Sequence, residues 1–188
     1  MIFICGPHSS GKTVLARELE RQGYLCLELG KIMREIYADS GNKSDFHDWS
    51  VAIEEERGED YINKLIVSKL NRKCSNMFCN RTDRLAIVGA RSVGVIDAIK
   101  ACGVGTERSM VVYVDSAYEM MKSLYSKREG IYVSDVMFKA LLRNDEVLGL
   151  SQIKKMADVT ILNNGTLEEF ITNSVSIIKN RGLLKCKQ

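Results

Sequence analysis

The sequence lacks most of the features that mark specialised protein classes. It has no C-x-x-C pair and only two histidines, so a zinc ribbon or finger lacks its ligand spacing. The six cysteines (Cys5, Cys26, Cys74, Cys79, Cys102 and Cys186) are scattered. Cys5 and Cys26 sit inside apolar runs, the pattern of free thiols packed into a core in a reducing compartment. No stretch approaches the ~18 apolar residues of a membrane span. The opening MIFIC runs straight into a glycine turn, without the basic and long apolar regions of a secretory leader. Repeats, linkers and low-complexity runs are absent, and the single proline, Pro7, falls in the first loop. Charge of one sign is scarce too: 27 Lys+Arg against 24 Asp+Glu leaves +3, too little to argue for nucleic-acid or membrane binding. These absences predict one cytoplasmic domain over residues 1–188, a monomer or homodimer with a small-molecule partner and neither nucleic acid nor membrane.

What is present fits a globular chain, with 45% hydrophobic and 27% charged residues among 188. Near-continuous apolar runs at Ile2 to Cys5, Tyr24 to Leu27, Leu85 to Val88, Met110 to Val114 and Val159 to Leu162 read as five strands buried on both faces. Between them, Val14 to Arg21, Lys31 to Ala38, Phe46 to Arg72, Val93 to Ala101, Ala117 to Arg128 and Phe138 to Leu148 carry helical spacing with polar faces. Such alternation predicts an α/β fold with a parallel sheet covered by helices on both faces. Two glycine-bearing polar segments, 39–60 and 129–137, interrupt the rhythm as lids or substrate flaps do.

One motif carries chemistry. Gly6-Pro7-His8-Ser9-Ser10-Gly11-Lys12-Thr13 matches G-x-x-x-x-G-K-[ST], and it follows the strand IFIC and opens the amphipathic VLARELER. In such a loop the glycines let backbone N–H groups turn inward on phosphate at a helix N-terminus. Lys12 then reaches the β- and γ-phosphates of ATP, and the Thr13 hydroxyl serves as a Mg2+ ligand. Gly6, His8, Ser9, Ser10, Gly11, Lys12 and Thr13 are therefore the predicted nucleotide cradle. His8 either approaches the γ-phosphate or occupies a variable position. Asn42-Lys43-Ser44-Asp45 matches N-K-x-D literally, but it follows no apolar strand and no D-x-x-G occurs, which disfavours a GTPase.

Further segments, in order, resemble the nucleoside-monophosphate-kinase superfamily, closest to its dephospho-CoA-kinase-like branch of predicted kinases. Leu29-Gly30-Lys31-Ile32-Met33-Arg34 looks like S-G-D-x-x-R, and Val88-Gly89-Ala90-Arg91 like D-G-x-R. Lys127-Arg128 followed by Arg143-Asn144-Asp145 resembles a lid (about 127–143) and its arginine helix. The run from Ala157 to Phe170 resembles A-D-x-x-I-x-N-x-G-[ST]-L-E-E-[LF], which places Asn163 and Gly165 against adenine. The resemblance implies a three-layer P-loop kinase fold with strand order 2-3-1-4-5 and ATP and Mg2+ as cofactors. It implies that Arg34 and Arg91 grip the acceptor, that Arg128 and Arg143 close over the phosphoryl group with Lys12, and that 39–60 forms the acceptor flap.

Two departures stand out. Lys31 and Val88 replace aspartates of the pattern, the second of which organises the magnesium shell. Asp115, ending MVVYVD, is either its substitute or a polar strand end. Glu28 is either a base for a hydroxyl acceptor or a cap, and Trp49 either stacks on a base or packs with Phe46 and Ile53 on the core. The predicted activity is transfer of the γ-phosphate of ATP to a (deoxy)nucleoside monophosphate or dephospho-CoA. The alternative is a degenerate nucleotide-binding kinase or an ATPase module with a regulatory role.

Overall fold

The structure is a computed structural model that describes residues 1–76, 84–103 and 108–182. Five strands, β1 (Ile2–Cys5), β2 (Leu25–Glu28), β3 (Leu85–Val88), β4 (Met110–Asp115) and β5 (Val159–Leu162), form one sheet. Its order is β2-β3-β1-β4-β5, the one the resemblance implies, and every pairing is parallel, as the alternation of elements predicts. The helices are α1 (Lys12–Arg21), α2 (Leu29–Ser40), α3 (Phe46–Arg57), α4 (Glu59–Asn76), α5 (Val93–Ala101), α6 (Tyr118–Glu129), α7 (Asp135–Val147), α8 (Leu150–Met156) and α9 (Leu167–Asn180). Among the described residues, no helix is long and apolar enough to cross a membrane. Cys79 and Cys186 lie outside the described residues.

Alternation along the strands divides the core into two. Phe3, Cys5, Ile87, Val111 and Tyr113 face α2 to α5 and α8, whereas Ile2, Ile4, Val88, Val112 and Val114 face α1 and α9. Each fully buried Ile, Val or Phe contributes roughly 1.5–3 kcal/mol, so the central strand β1, buried throughout, anchors the domain. Cys5 behaves as the sequence predicts, a packed thiol that burial pushes up to about 12.

The segments read as insertions are mostly helical. The stretch Phe46 to Arg72 is broken at Gly58, whose φ of 78° favours glycine, and becomes α3 and α4. Trp49 is buried there against Tyr37 and Phe46, with Ile53 packed beside the same core, so the helix-face reading holds and the indole is not free to stack on a base. Asp45 of the N-K-x-D string caps α3 through the backbone N–H of His47, which gives that string a local structural role. The lid region reduces to a short link, residues 130–134, between α6 and α7. Helices α8 and α9 are additions to the sequence reading. Thr166 and Glu169 start α9 with a capping box.

Candidate active site

The sheet delivers the ends of β1, β3 and β4 side by side, and the phosphate-loop motif emerges from the middle one. Its shape is imposed by close packing. Gly6 has φ 138°, and a Cβ there would lie 2.1 Å from the Val114 carbonyl oxygen. Gly11 has φ 108°, and a Cβ there would lie 2.5 Å from Asn163 Nδ2, which donates 2.9 Å to the Ser10 carbonyl. Asn163 is itself fixed, its N–H donating to the Asp115 carbonyl and its own carbonyl accepting from Ser116 Oγ. The structure thus brings Asn163 onto the loop as a brace. Gly165 lies exposed beside the Glu169 carboxylate of the capping box, where a Cβ would meet Glu169 Oε2 at 2.5 Å.

The loop is built for an anion. The hydroxyls of Ser9 and Ser10 are buried without a hydrogen-bond partner among the described residues, and Ser9 holds φ 57°. Unpaired buried hydroxyls are costly, and together with the helix N-terminus they suit phosphate oxygens. Lys12 Nζ donates to the carbonyls of Gly6 at 2.8 Å and Pro7 at 2.6 Å, which holds its charge in the loop. Burial lowers the Lys12 pKa from 10.5 to about 8; Asp145 works against that shift and Arg91 and Arg128 with it. Between about pH 8 and 10.5 the folded chain therefore binds fewer protons than the unfolded one, and this residue's contribution to stability rises with pH in that window. A nucleotide needs the ammonium form. ATP affinity is accordingly expected to fall, with proton uptake on binding, as pH rises above about 8. Calorimetric titration in buffers of different ionisation enthalpy measures both.

Across the loop stands a group that sequence reasoning did not assign. Asp145, 2% exposed, is the only charged residue in the buried class among the described residues. Its Oδ2 accepts from the His8 backbone N–H at 2.9 Å and lies 2.8 Å from His8 Nδ1. Its Oδ1 is 3.4 Å from Arg91 NH1, while Arg91 NH2 is 2.9 Å from His8 Nε2. Burial pushes the Asp145 carboxyl upward, but the His8 hydrogen bonds and the Arg91 charge outweigh it and hold the group below its ordinary value. The signal was in the helix period: Phe138, Leu141, Leu142 and Asp145 follow i, i+3, i+4, i+7, so a carboxylate completes an apolar stripe.

The remaining predicted residues are distributed more widely. Arg128 is near enough to Lys12 to affect its charge, and it pairs with Glu129 beside the Tyr125 ring. Arg143 is exposed on α7, two residues from Asp145 and so about 200° around the helix, turned away from the loop. Arg34 is exposed over the Phe46 ring and donates to the Gly30 carbonyl. Glu28 is half-buried and paired with Lys31 at 2.7 Å. Its register opposite Val88 makes α2 and the loop carrying Arg91 emerge together.

Thr13 is exposed at the start of α1, where its hydroxyl is free to meet a metal held by phosphates. Asp115 and Val88 lie on opposite sides of the sheet. Val88 packs on the α1 side of the sheet, while Asp115 follows Tyr113 to the other side and accepts from Lys154 Nζ at 2.7 Å. There it borders a cleft of about 460 Å³ together with Tyr113, Leu142 and Asp145. No cluster of three potential metal-ligating side chains exists among the described residues. A magnesium ion fits this site as such ions often bind, through one protein oxygen, substrate phosphates and water.

No family model matches the chain. It is 23% identical over 180 residues to a UPF0200 protein of Sulfurisphaera tokodaii, covering 95% of this chain and 96% of that one. It is also 23% identical over 176 residues to a UPF0200 protein of Thermococcus kodakarensis, at 90% and 91% coverage. Among solved structures it resembles TT1252 from Thermus thermophilus, with TM-score 0.64, 16% identity and coverage of 95% and 96%. It resembles shikimate kinase from Acinetobacter baumannii, with TM-score 0.57, 21% identity and coverage of 99% and 94%. A gluconokinase from Sinorhizobium meliloti follows with TM-score 0.56, 14% identity and coverage of 96% and 91%. These neighbours share the fold without singling out the dephospho-CoA branch. With strand order 2-3-1-4-5, helices on both faces and the phosphate loop after β1, this chain has the fold of the P-loop kinases.

Proposed function

We propose that the protein is an ATP-dependent phosphotransferase that moves the γ-phosphate of ATP to a small anionic acceptor, such as a (deoxy)nucleoside monophosphate or dephospho-CoA. The observation that carries this reading is the phosphate loop with its two unpaired buried hydroxyls, facing Arg91 across the end of β3. The loop holds the β- and γ-phosphates of ATP, and Arg91 and Arg34 supply cations where the acceptor's anionic group docks. A nucleophilic oxygen of the acceptor forms a bond to the γ-phosphorus as the bond to the β–γ bridging oxygen breaks, and ADP leaves. A monophosphate oxygen needs no base for this step, in keeping with Glu28 being engaged by Lys31. ADP release from ATP and magnesium, measured over nucleoside monophosphates, deoxynucleotides and dephospho-CoA, tests the reading. Acceptor-dependent release supports it, and release that ignores every acceptor identifies an ATPase module instead.

One observation favours a second reading, a nucleotide-holding relative with poor transfer. The position of the magnesium-organising aspartate is filled by Val88, 3% exposed, and Asp115 lies on the other side of the sheet. The level of magnesium-dependent turnover of the natural chain separates the two readings, and comparison with Asp115→Asn tests whether Asp115 serves the metal. If Asp115 reaches the metal shell, turnover collapses while ATP binding persists, because the transition state depends on the metal more than ground-state binding does. The geometry favours the other outcome, turnover within about threefold of natural, since this substitution removes only an ion pair with exposed Lys154. Val88→Asp is expected to lower stability by about 2–4 kcal/mol, because it buries an unpaired carboxyl in an apolar cluster.

A further inference from the structure

We infer that His8 and Asp145 are positioning residues that aim Arg91 at the acceptor; the kinetic part of this inference rests on the phosphotransferase reading. The argument begins with hydrogens. An arginine only donates, so His8 Nε2, 2.9 Å from Arg91 NH2, accepts. The imidazole proton then sits on Nδ1 and is given to Asp145 Oδ2 at 2.8 Å. Asp145 thereby selects the tautomer that makes His8 an acceptor for arginine, and its other oxygen attracts the same guanidinium at 3.4 Å. The three groups close a triangle whose corners come from the phosphate loop, from the turn after β3, and from α7.

This arrangement has a specific consequence for the arginine. Two nitrogens of Arg91 are engaged by the protein, so the guanidinium plane is fixed while its remaining N–H groups stay available on an exposed side chain. A lysine carries its three donors on one nitrogen, so after meeting His8 and Asp145 it would have no planar pair of donors left to present to an anion. The carboxylate has a second duty as well. Because Oδ2 also accepts the His8 backbone N–H, α7 is tied to the phosphate loop at the same point.

Two substitutions separate the duties. His8→Asn retains a donor near Nδ1 for Asp145 but falls short of Arg91, whereas His8→Gln offers an acceptor near Nε2 for Arg91. In the full chain, His8→Asn is expected to raise the acceptor KM about tenfold or more, with ATP affinity changed less than threefold, and His8→Gln to recover much of the acceptor KM. Equal loss of ATP affinity and thermal stability in both variants, with the acceptor KM unmoved, would overturn the positioning role. A second measurement does not depend on activity. The 15N chemical shifts of the side-chain nitrogens are simple to assign with only two histidines in the chain, and they should show His8 protonated on Nδ1 in the natural protein. A proton on Nε2 would overturn the inference even if phosphotransfer is found. If no acceptor is phosphorylated, the phosphotransferase reading fails alone, and Arg91→Ala must still shift the His8 Nε2 resonance for the triangle to stand.

Discussion

On the proposed phosphotransferase reading, Lys12→Ala should lower turnover on the order of 10²–10³-fold or more while the chain still folds. The ammonium is held 2.8 Å and 2.6 Å from two loop carbonyls, so its removal takes away charge where the proposed reading puts the β- and γ-phosphates. A positioned cation in a desolvated site is worth far more than one in water, because neither solvent nor side chain must reorganise as charge builds on the transferring group. Relief of the buried ammonium should leave stability unchanged or slightly higher at neutral pH, since folding lowers this lysine's pKa to about 8 and so acts against its charged form. Titration with a non-hydrolysable ATP analogue, alongside thermal unfolding, checks both halves. Unaltered binding together with unaltered turnover would remove the phosphate-loop assignment.

Gly6→Ala should be the most destabilising glycine-to-alanine change among the described residues. The new Cβ would stand 2.1 Å from the Val114 carbonyl oxygen, a backbone atom of the buried strand β4, and φ 138° is a region that side-chain-bearing residues rarely adopt. Neither partner can step aside without breaking the β1–β4 pairing. Steric overlap and backbone strain together give about 3–5 kcal/mol, roughly 10 °C or more in Tm for a chain of this size. Gly41→Ala is the matched control. It also has positive φ, at 66°, but a Cβ there meets nothing within 4 Å. A Gly6→Ala protein that melts with Gly41→Ala would show that the loop relaxes more freely than its packing implies.

The sheet was legible because its strands are buried on both faces and therefore read as unbroken apolar runs such as IFIC and LAIV. Strand order came from the family resemblance, since periodicity carries no information on which strand lies beside which. Residues of the phosphate loop were legible because their spacing is a local requirement. Asp145 was not assigned, because its importance arises only when α7 is laid against a loop 137 residues away in the chain. Asn163 was assigned to adenine by resemblance, and its bond to the Ser10 carbonyl is likewise visible only in three dimensions. The opposite faces of Val88 and Asp115 follow from strand alternation, but only once the β3–β1–β4 order is in hand.

The triangle of His8, Arg91 and Asp145 joins points separated by 83 and 137 residues, and the brace from Asn163 to Ser10 spans 153. The phosphate loop therefore acquires its final shape only after distant parts of the chain have come together. Until β4, α7 and β5 have docked, β1 lacks a neighbour and the loop has neither its latch nor its brace. Competence to hold a nucleotide thus appears only with completion of the whole sheet. A nucleotide held there would in turn stabilise contacts between distant parts of the chain, which are costly in entropy to close.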